Sequence, residues 1–139
     1  MRETLPPAPN LAPGDRLLIL SPHPDDETLG LGSTLARYSS EGIQTYLLCA
    51  TRGERGWFDS EGPDPGLEGV ARIREAELRC AEVNLGIHEV SFLDYIVGVV
   101  DQARPEEIIG KAYSTLYPPG EAADGLAERE LALAATMAP

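Results

Sequence analysis

Histidine is nearly absent: His23 and His88 are the only two in 139 residues, so imidazole chemistry has at most two positions to work from. Cysteine is as scarce. Cys49 lies in an apolar run and Cys80 in a helical pattern, with no CxxC spacing, which excludes a disulfide framework; both read as buried free thiols in a reducing compartment. Basic residues are few, 11 Lys and Arg against 23 Asp and Glu, for a formal net charge of -12. That balance disfavours nucleic acid as a partner and leaves no basic patch for a membrane surface. No apolar run approaches the roughly 18 residues of a spanning helix, so no membrane insertion is expected. The first dozen residues are proline-rich rather than charged-then-apolar, which points to a cytoplasmic protein. There is no GxGxxG after the first apolar run, which argues against a nucleotide-binding domain. There is no internal repeat either.

What is present is globular: 42% hydrophobic and 24% charged residues, enough for one domain with a core. The chain is organised around Ser21-Pro22-His23-Pro24-Asp25-Asp26-Glu27-Thr28-Leu29-Gly30, which follows the apolar run Leu17-Leu18-Ile19-Leu20. A first strand over 16–21 is apolar on consecutive positions, as a strand covered on both faces should be. Gly30 to Tyr38 reads as a helix stopped by Gly42, and Ile43 to Thr51 as a second strand, so the order implies a parallel crossover. A glycine-rich loop over 52–69 then leaves the same edge as the acidic stretch.

From Val70 to Leu85 the pattern is helical. A count of about 100° per residue puts Ile73, Ala76, Leu78, Cys80, Ala81, Val83 and Leu85 on one arc, with Arg72, Glu75, Arg79 and Glu82 opposite, toward water. Arg74, Glu77 and Asn84 fall inside the apolar arc, where an ion needs a partner or a reason. Either Arg74 and Glu77 pair at their spacing of three, or they face a cleft. Gly86 ends this helix, His88 to Asp94 is a third strand, and Pro105 opens a helix to about Leu116 with Glu106 and Glu107 in its first turn. The expected organisation is an N-terminal arm over 1–14, an α/β domain over 15–117, and a tail over 118–139 whose Ala/Leu/Glu-rich part, Gly125 to Met137, is helical.

His23, Asp25 and Asp26 combine an imidazole with carboxylates, a donor set that suits zinc or a similar first-row ion. His23 and Asp26 could supply two ligands, and Asp25, free to point elsewhere, could take a proton from a bound water. The competing reading is a polar turn that caps the following helix.

Ser-Pro-His-Pro-Asp-Asp-Glu over 21–27, Thr51-Arg52-Gly53-Glu54-Arg55-Gly56, Arg74-Glu75-Ala76-Glu77-Leu78 with Leu85-Gly86, and Phe92-Leu93-Asp94-Tyr95 together resemble the ordered motifs of the PIG-L/LmbE family of zinc-dependent sugar de-N-acetylases. The resemblance covers about residues 15 to 110. It implies a Rossmann-like parallel sheet flanked by helices, short at its C-terminal end, carrying zinc for removal of an N-acetyl group from an N-acetylglucosamine-containing small molecule or conjugate. It implies His23 and Asp26 as the first two metal ligands, Asp25 as general base and Arg74 as a substrate contact. Glu54 would line the sugar site or brace the first loop, and Glu27 would orient that loop without touching zinc.

The departures are equally specific. The family's third ligand comes from a later histidine segment, and no histidine follows His88, which resembles no family ligand. Ile96-Val97-Gly98 stands where an acid is common, and Asp101 is a poor substitute by position. Three readings stay open: a truncated or rearranged member, a ligand borrowed from a neighbouring subunit in a homo-oligomer, or Glu121 or Asp124 in place of the histidine. The alternative to an amino-sugar deacetylase is a catalytically weak family remnant serving as a binding or assembly module.

Overall fold

The computed structural model describes residues 11–57, 62–118 and the strand 132–135. In chain order these form β1 (Arg16–Ser21), α1 (Asp26–Ser40), β2 (Gln44–Thr51), α2 (Gly66–Leu85), β3 (Glu89–Tyr95), a 3-10 turn (Val100–Gln102), α3 (Pro105–Leu116) and β4 (Ala132–Ala135). The sheet runs β3-β2-β1-β4 with every pair parallel. The architecture is the parallel α/β sheet that the strand and helix order implies, flanked by helices in the Rossmann-like manner that the resemblance implies.

The two inner strands show why their sequences are nearly unbroken apolar runs. In β1 and β2 successive side chains alternate between faces, and both faces are covered. Leu17, Ile19, Leu47 and Cys49 join Leu35 of α1, Leu78 of α2 and Phe92 of β3 on one side. Leu18, Tyr46 and Leu48 meet Ala112 and Leu116 of α3 on the other. Helices on both faces leave the carboxyl ends of the strands as the free edge. The chain builds outward from β1 through β2 to β3 and then returns to pair β4 on the opposite side of β1. The order therefore reverses at β1, and open α/β sheets bind ligands outside the strand ends at that reversal. The loop leaving β1 there is Pro22 to Asp25.

Three expectations change. Residues 132–135 are a strand parallel to β1, not helix, although the segment is rich in good helix formers; an open edge of β1 offers a row of backbone donors and acceptors, and pairing there outweighs a weak local preference. The rest of the expected helical tail, and residues 1–10 of the expected arm, lie outside the described residues. Second, α2 is rotated from the expected arc. Val70 and Leu78 are buried, whereas Ile73 is 39% and Val83 80% exposed. Part of its charged side is drawn onto the sheet: Glu75 pairs with both Arg52 and Arg79, whose guanidiniums lie 4.2 and 5.9 Å from the Phe92 ring centroid, while Arg72 stays exposed. Third, Cys49 is buried as expected but Cys80 is exposed, a consequence of the same rotation. Helix α1 also begins earlier than its apolar pattern, inside the acidic stretch, because Asp26 and Glu27 suit the positive end of a helix.

Candidate active site

The first loop is strained and held. Asp25 precedes α1 with φ 117°, a left-handed conformation that costs a non-glycine residue about 1–3 kcal/mol. Several bonds hold it there. The Asp25 N–H donates to Glu27 Oε2 at 2.9 Å, and the Asp25 carbonyl accepts from the Thr28 and Leu29 N–H groups at 3.0 and 2.9 Å. Glu27 is 1% exposed, and its second oxygen accepts from the Thr28 hydroxyl at 2.7 Å. Its carboxylate is thus turned into the loop.

The second loop locks onto the first. Thr51, at the end of β2, donates from both its N–H (3.1 Å) and its hydroxyl (2.9 Å) to the Pro22 carbonyl. Gly53 follows with φ 67°, and a Cβ there would stand 3.1 Å from Pro24 Cδ, so glycine is what lets the two loops lie together.

Arg74 joins these loops to α2. Its Nη2 donates to the Pro24 carbonyl at 2.6 Å and to Asp25 Oδ2 at 2.7 Å, and its Nη1 reaches Glu77 Oε2 at 3.3 Å. The two readings of Arg74, structural pair or cleft residue, are both realised by one guanidinium. An open cleft of about 230 Å³ is lined by His23, Asp25, Gly53, Arg55, Gly56, Arg74 and Val97.

His23 and Asp26 face each other. Nδ1 of His23 is 3.4 Å from Asp26 Oδ2, which also accepts the His23 N–H at 3.0 Å. Two ligands of a tetrahedral zinc, each at about 2.0 Å, stand about 3.3 Å apart, so this pair has the spacing of one edge of such a site. Among the described residues no group of three or more His, Cys, Asp or Glu side chains is gathered to hold a metal. The pair fits as two donors; Glu121 and Asp124 lie outside the described residues.

Glu54 lies between the second loop and the loop after β3. Its Oε1 accepts from the Val97 N–H at 2.6 Å, which braces the loop after β3, and it lines a neighbouring hollow with Arg52, Leu67, Ala71 and Tyr95. His88 lies at the amino end of β3, the opposite sheet edge, with its ring 5.1 Å from Tyr46, and Asp101 is exposed in the 3-10 turn. Sequence reading passed over Arg52, which bonds Glu75 and, at 2.6 Å, Asp94 Oδ1, and so ties the end of β2 to α2 and β3. These two carboxylates hold its guanidinium above its ordinary pKa, Asp94 foremost. Its place in the Thr-Arg-Gly-Glu-Arg-Gly motif was the available signal.

Known proteins agree with this architecture. Residues 18–130 match the family described as PIG-L: GlcNAc-PI de-N-acetylase. The chain is 42% identical over 91 residues to 1D-myo-inositol 2-acetamido-2-deoxy-alpha-D-glucopyranoside deacetylase of Geodermatophilus obscurus, covering 60% of this chain and 30% of that protein. It is 38% identical over 80 residues to diacetylchitobiose deacetylase of Thermococcus kodakarensis, covering 58% of this chain and 29% of that one. Among solved structures, N,N'-diacetylchitobiose deacetylase from Pyrococcus horikoshii superposes with a TM-score of 0.54 at 30% identity, covering 58% of this chain and 29% of that chain. GalB, the 4-carboxy-2-hydroxymuconate hydratase from Pseudomonas putida, shares the fold at 23% identity, with a TM-score of 0.58 over 73% of this chain and 43% of that one. The chain spans about 30% of the length of the two curated relatives. With the acidic loop at the sheet's reversal point and the family match extending over most of its length, the chain belongs to the PIG-L family.

Proposed function

We propose that this protein is a hydrolase of a non-peptide amide, removing the N-acetyl group from an N-acetylglucosamine-containing small molecule or conjugate. The observation that carries the reading is the convergence of His23, Asp25, Asp26 and Arg74 at the carboxyl end of β1, in a chain whose named relatives act as deacetylases of amino sugars. In the reaction, water adds to the acetyl carbonyl carbon, the C–N bond breaks, and acetate and a free amine leave. In this reading Asp25 takes the proton from the attacking water. One of its oxygens is held by Arg74, and the other has no protein partner among the described residues. Arg74 fixes that carboxylate and adds positive charge where the acyl oxygen gains negative charge. His23 and Asp26 would hold a zinc ion, whose chemistry when bound is to polarise the acyl oxygen and lower the pKa of water. Glu27 orients Asp25 through its N–H, and Glu54 acts through the loop after β3 rather than on the sugar. A cytoplasmic location is supported by two cysteines without disulfides.

The second reading, a weak family remnant that binds without turnover, rests on the two-donor count at His23 and Asp26; the named relatives weigh against it. Acetate release from methyl N-acetylglucosaminide, an inositol glycoside of N-acetylglucosamine and diacetylchitobiose, assayed with zinc-supplemented protein, decides between them. Turnover abolished by Asp25→Asn is the expected result. No acetate from any of the three overturns the reading.

A further inference from the structure

The outward face of α2 carries an apolar stripe that the core does not use. At about 100° per residue, Ile73, Ala76, Cys80 and Val83 all lie within roughly 40° of the direction opposite Leu78, the residue that anchors the helix in the core. All four are exposed, Val83 by 80%. Their spacing of three, four and three is that of the a and d positions through which helices pair. Leu29, at the start of α1 and 82% exposed, lines one hollow with Glu77 and Ala81, so the apolar surface continues across to α1. A contiguous apolar face rimmed by charged residues marks an interaction surface.

The charges beside the stripe point to its occupant. Arg72 and Arg79 flank it on one side, Glu77 and Asn84 on the other. When two copies of α2 pack side by side in the same direction, a residue on the first flank meets the residue five positions later on the second flank of the other copy. Arg72 then faces Glu77, twice in a two-fold pair, and Arg79 faces Asn84. Opposite directions would set the arginine flanks against each other and Glu77 against Glu77, which repels. The side chains of Arg72 and Glu77 are 74% and 61% exposed, and within the chain they meet Glu68 at 3.8 Å and Arg74 at 3.3 Å, so both reach outward. The face is self-complementary, as a two-fold interface demands.

We infer that two copies of this chain pair through α2, parallel and about a two-fold axis, with Ile73, Ala76, Cys80 and Val83 packed together and Arg72 of each copy bridging to Glu77 of the other. The inference goes beyond the deacetylase reading and does not depend on it, since it rests on the face of α2 turned away from the sheet. Arg74, which holds Asp25, projects from the opposite side of the helix, so the pairing does not call on the cleft. Two heptads and one residue of α1 make a small interface, so the pair exchanges with single chains.

Sedimentation velocity of the full chain at low salt, from about 5 to about 500 µM, should show a weight-average mass that rises toward twice that of one chain. Val83→Glu, at an exposed position and with its fold checked by urea unfolding, puts a charge in the stripe and should weaken association at least about tenfold. Arg72→Glu and Glu77→Lys should each weaken it alone, because each sets like charges opposite. An equimolar mixture of the two should recover it, since opposite charges then meet at both contacts. Diamide, which takes two electrons and two protons from a pair of thiols, should link Cys80 to Cys80 of the second copy, and Cys80→Ser should prevent the link. A single-chain mass throughout overturns the inference and leaves the stripe to a different partner. So does association that Val83→Glu does not weaken, because another face would then pair. A mixture that stays as weak as its components, or association without the Cys80 link, overturns the parallel pairing.

Discussion

Arg74 donates to Asp25 at 2.7 Å across 49 positions of sequence, and that contact fixes the geometry of the cleft. Asp25 sits in a strained backbone conformation at the end of the first loop, and Arg74 reaches it from the middle of α2 while also holding the Pro24 carbonyl. The strain is over-determined from two sides, by Glu27 within the loop and by Arg74 across it.

Replacing Arg74 should therefore cost activity more than stability. Arg74→Ala releases the Asp25 carboxylate, and a misplacement of about 1 Å at a reacting group can cost roughly 10²-fold in rate. A comparable loss of kcat/KM for acetate release is expected, with Arg74→Lys recovering only part. Kinetics matching the unmodified protein would show that the contact has no role in turnover.

Glu27 should behave in the opposite way in its Ala and Gln forms. Glu27→Ala removes the buried acceptor of the Asp25 N–H and the Thr28 hydroxyl, which should destabilise the fold by about 1–2 kcal/mol. Glu27→Gln retains one acceptor and should cost less. Urea unfolding curves measure both; equal stability of the Ala form would mean that the loop finds other partners.

Gly53→Ala adds a methyl group 3.1 Å from Pro24 at a φ of 67°. A destabilisation of about 1–3 kcal/mol is expected from the backbone alone. Because the strain falls where the two loops meet, loss of activity should accompany it. A thermal melt unchanged from the unmodified protein would contradict this.

The two thiols should differ sharply. Burial pushes the Cys49 thiol up to about 11, whereas Cys80 is exposed, so iodoacetamide at pH 8 should label Cys80 in the native protein and Cys49 only after denaturation. The same shift sets a pH limit on stability. The folded-state pKa is raised above the unfolded value of 9.0, so the contribution is fully present below pH 9 and is lost as pH rises through about 11; the change amounts to about 2–3 kcal/mol. Cys49→Ala should flatten the loss of urea stability between those pH values. An unchanged profile would assign the loss to other groups.

Local sequence was a sound guide where the signal was local. β1 and β2 are apolar on consecutive positions because both faces are buried, and the acidic stretch follows β1 directly, so its place at the sheet edge could be read without coordinates. The order of strands and helices was enough for a parallel α/β sheet. The fold class and the position of His23, Asp25 and Asp26 belong to this part.

Contacts between distant segments were not legible. Helical periodicity gives the angle between Ile73 and Glu75 but not which of them faces the sheet. That was decided by Arg52 and Phe92, which draw part of the charged side of α2 inward and leave Ile73, Cys80 and Val83 outside. Glu54 could be assigned to a loop but not to a partner, since Val97 is 43 residues away. Helix propensity over 132–135 yielded to backbone pairing with β1, an energy that exists only once the sheet is assembled. The chain by itself determined its fold class and which groups are present at the end of β1, because those follow from burial pattern and order along the backbone. Tertiary structure alone decided that Arg74 holds Asp25, because that depends on which distant carboxylate comes within reach.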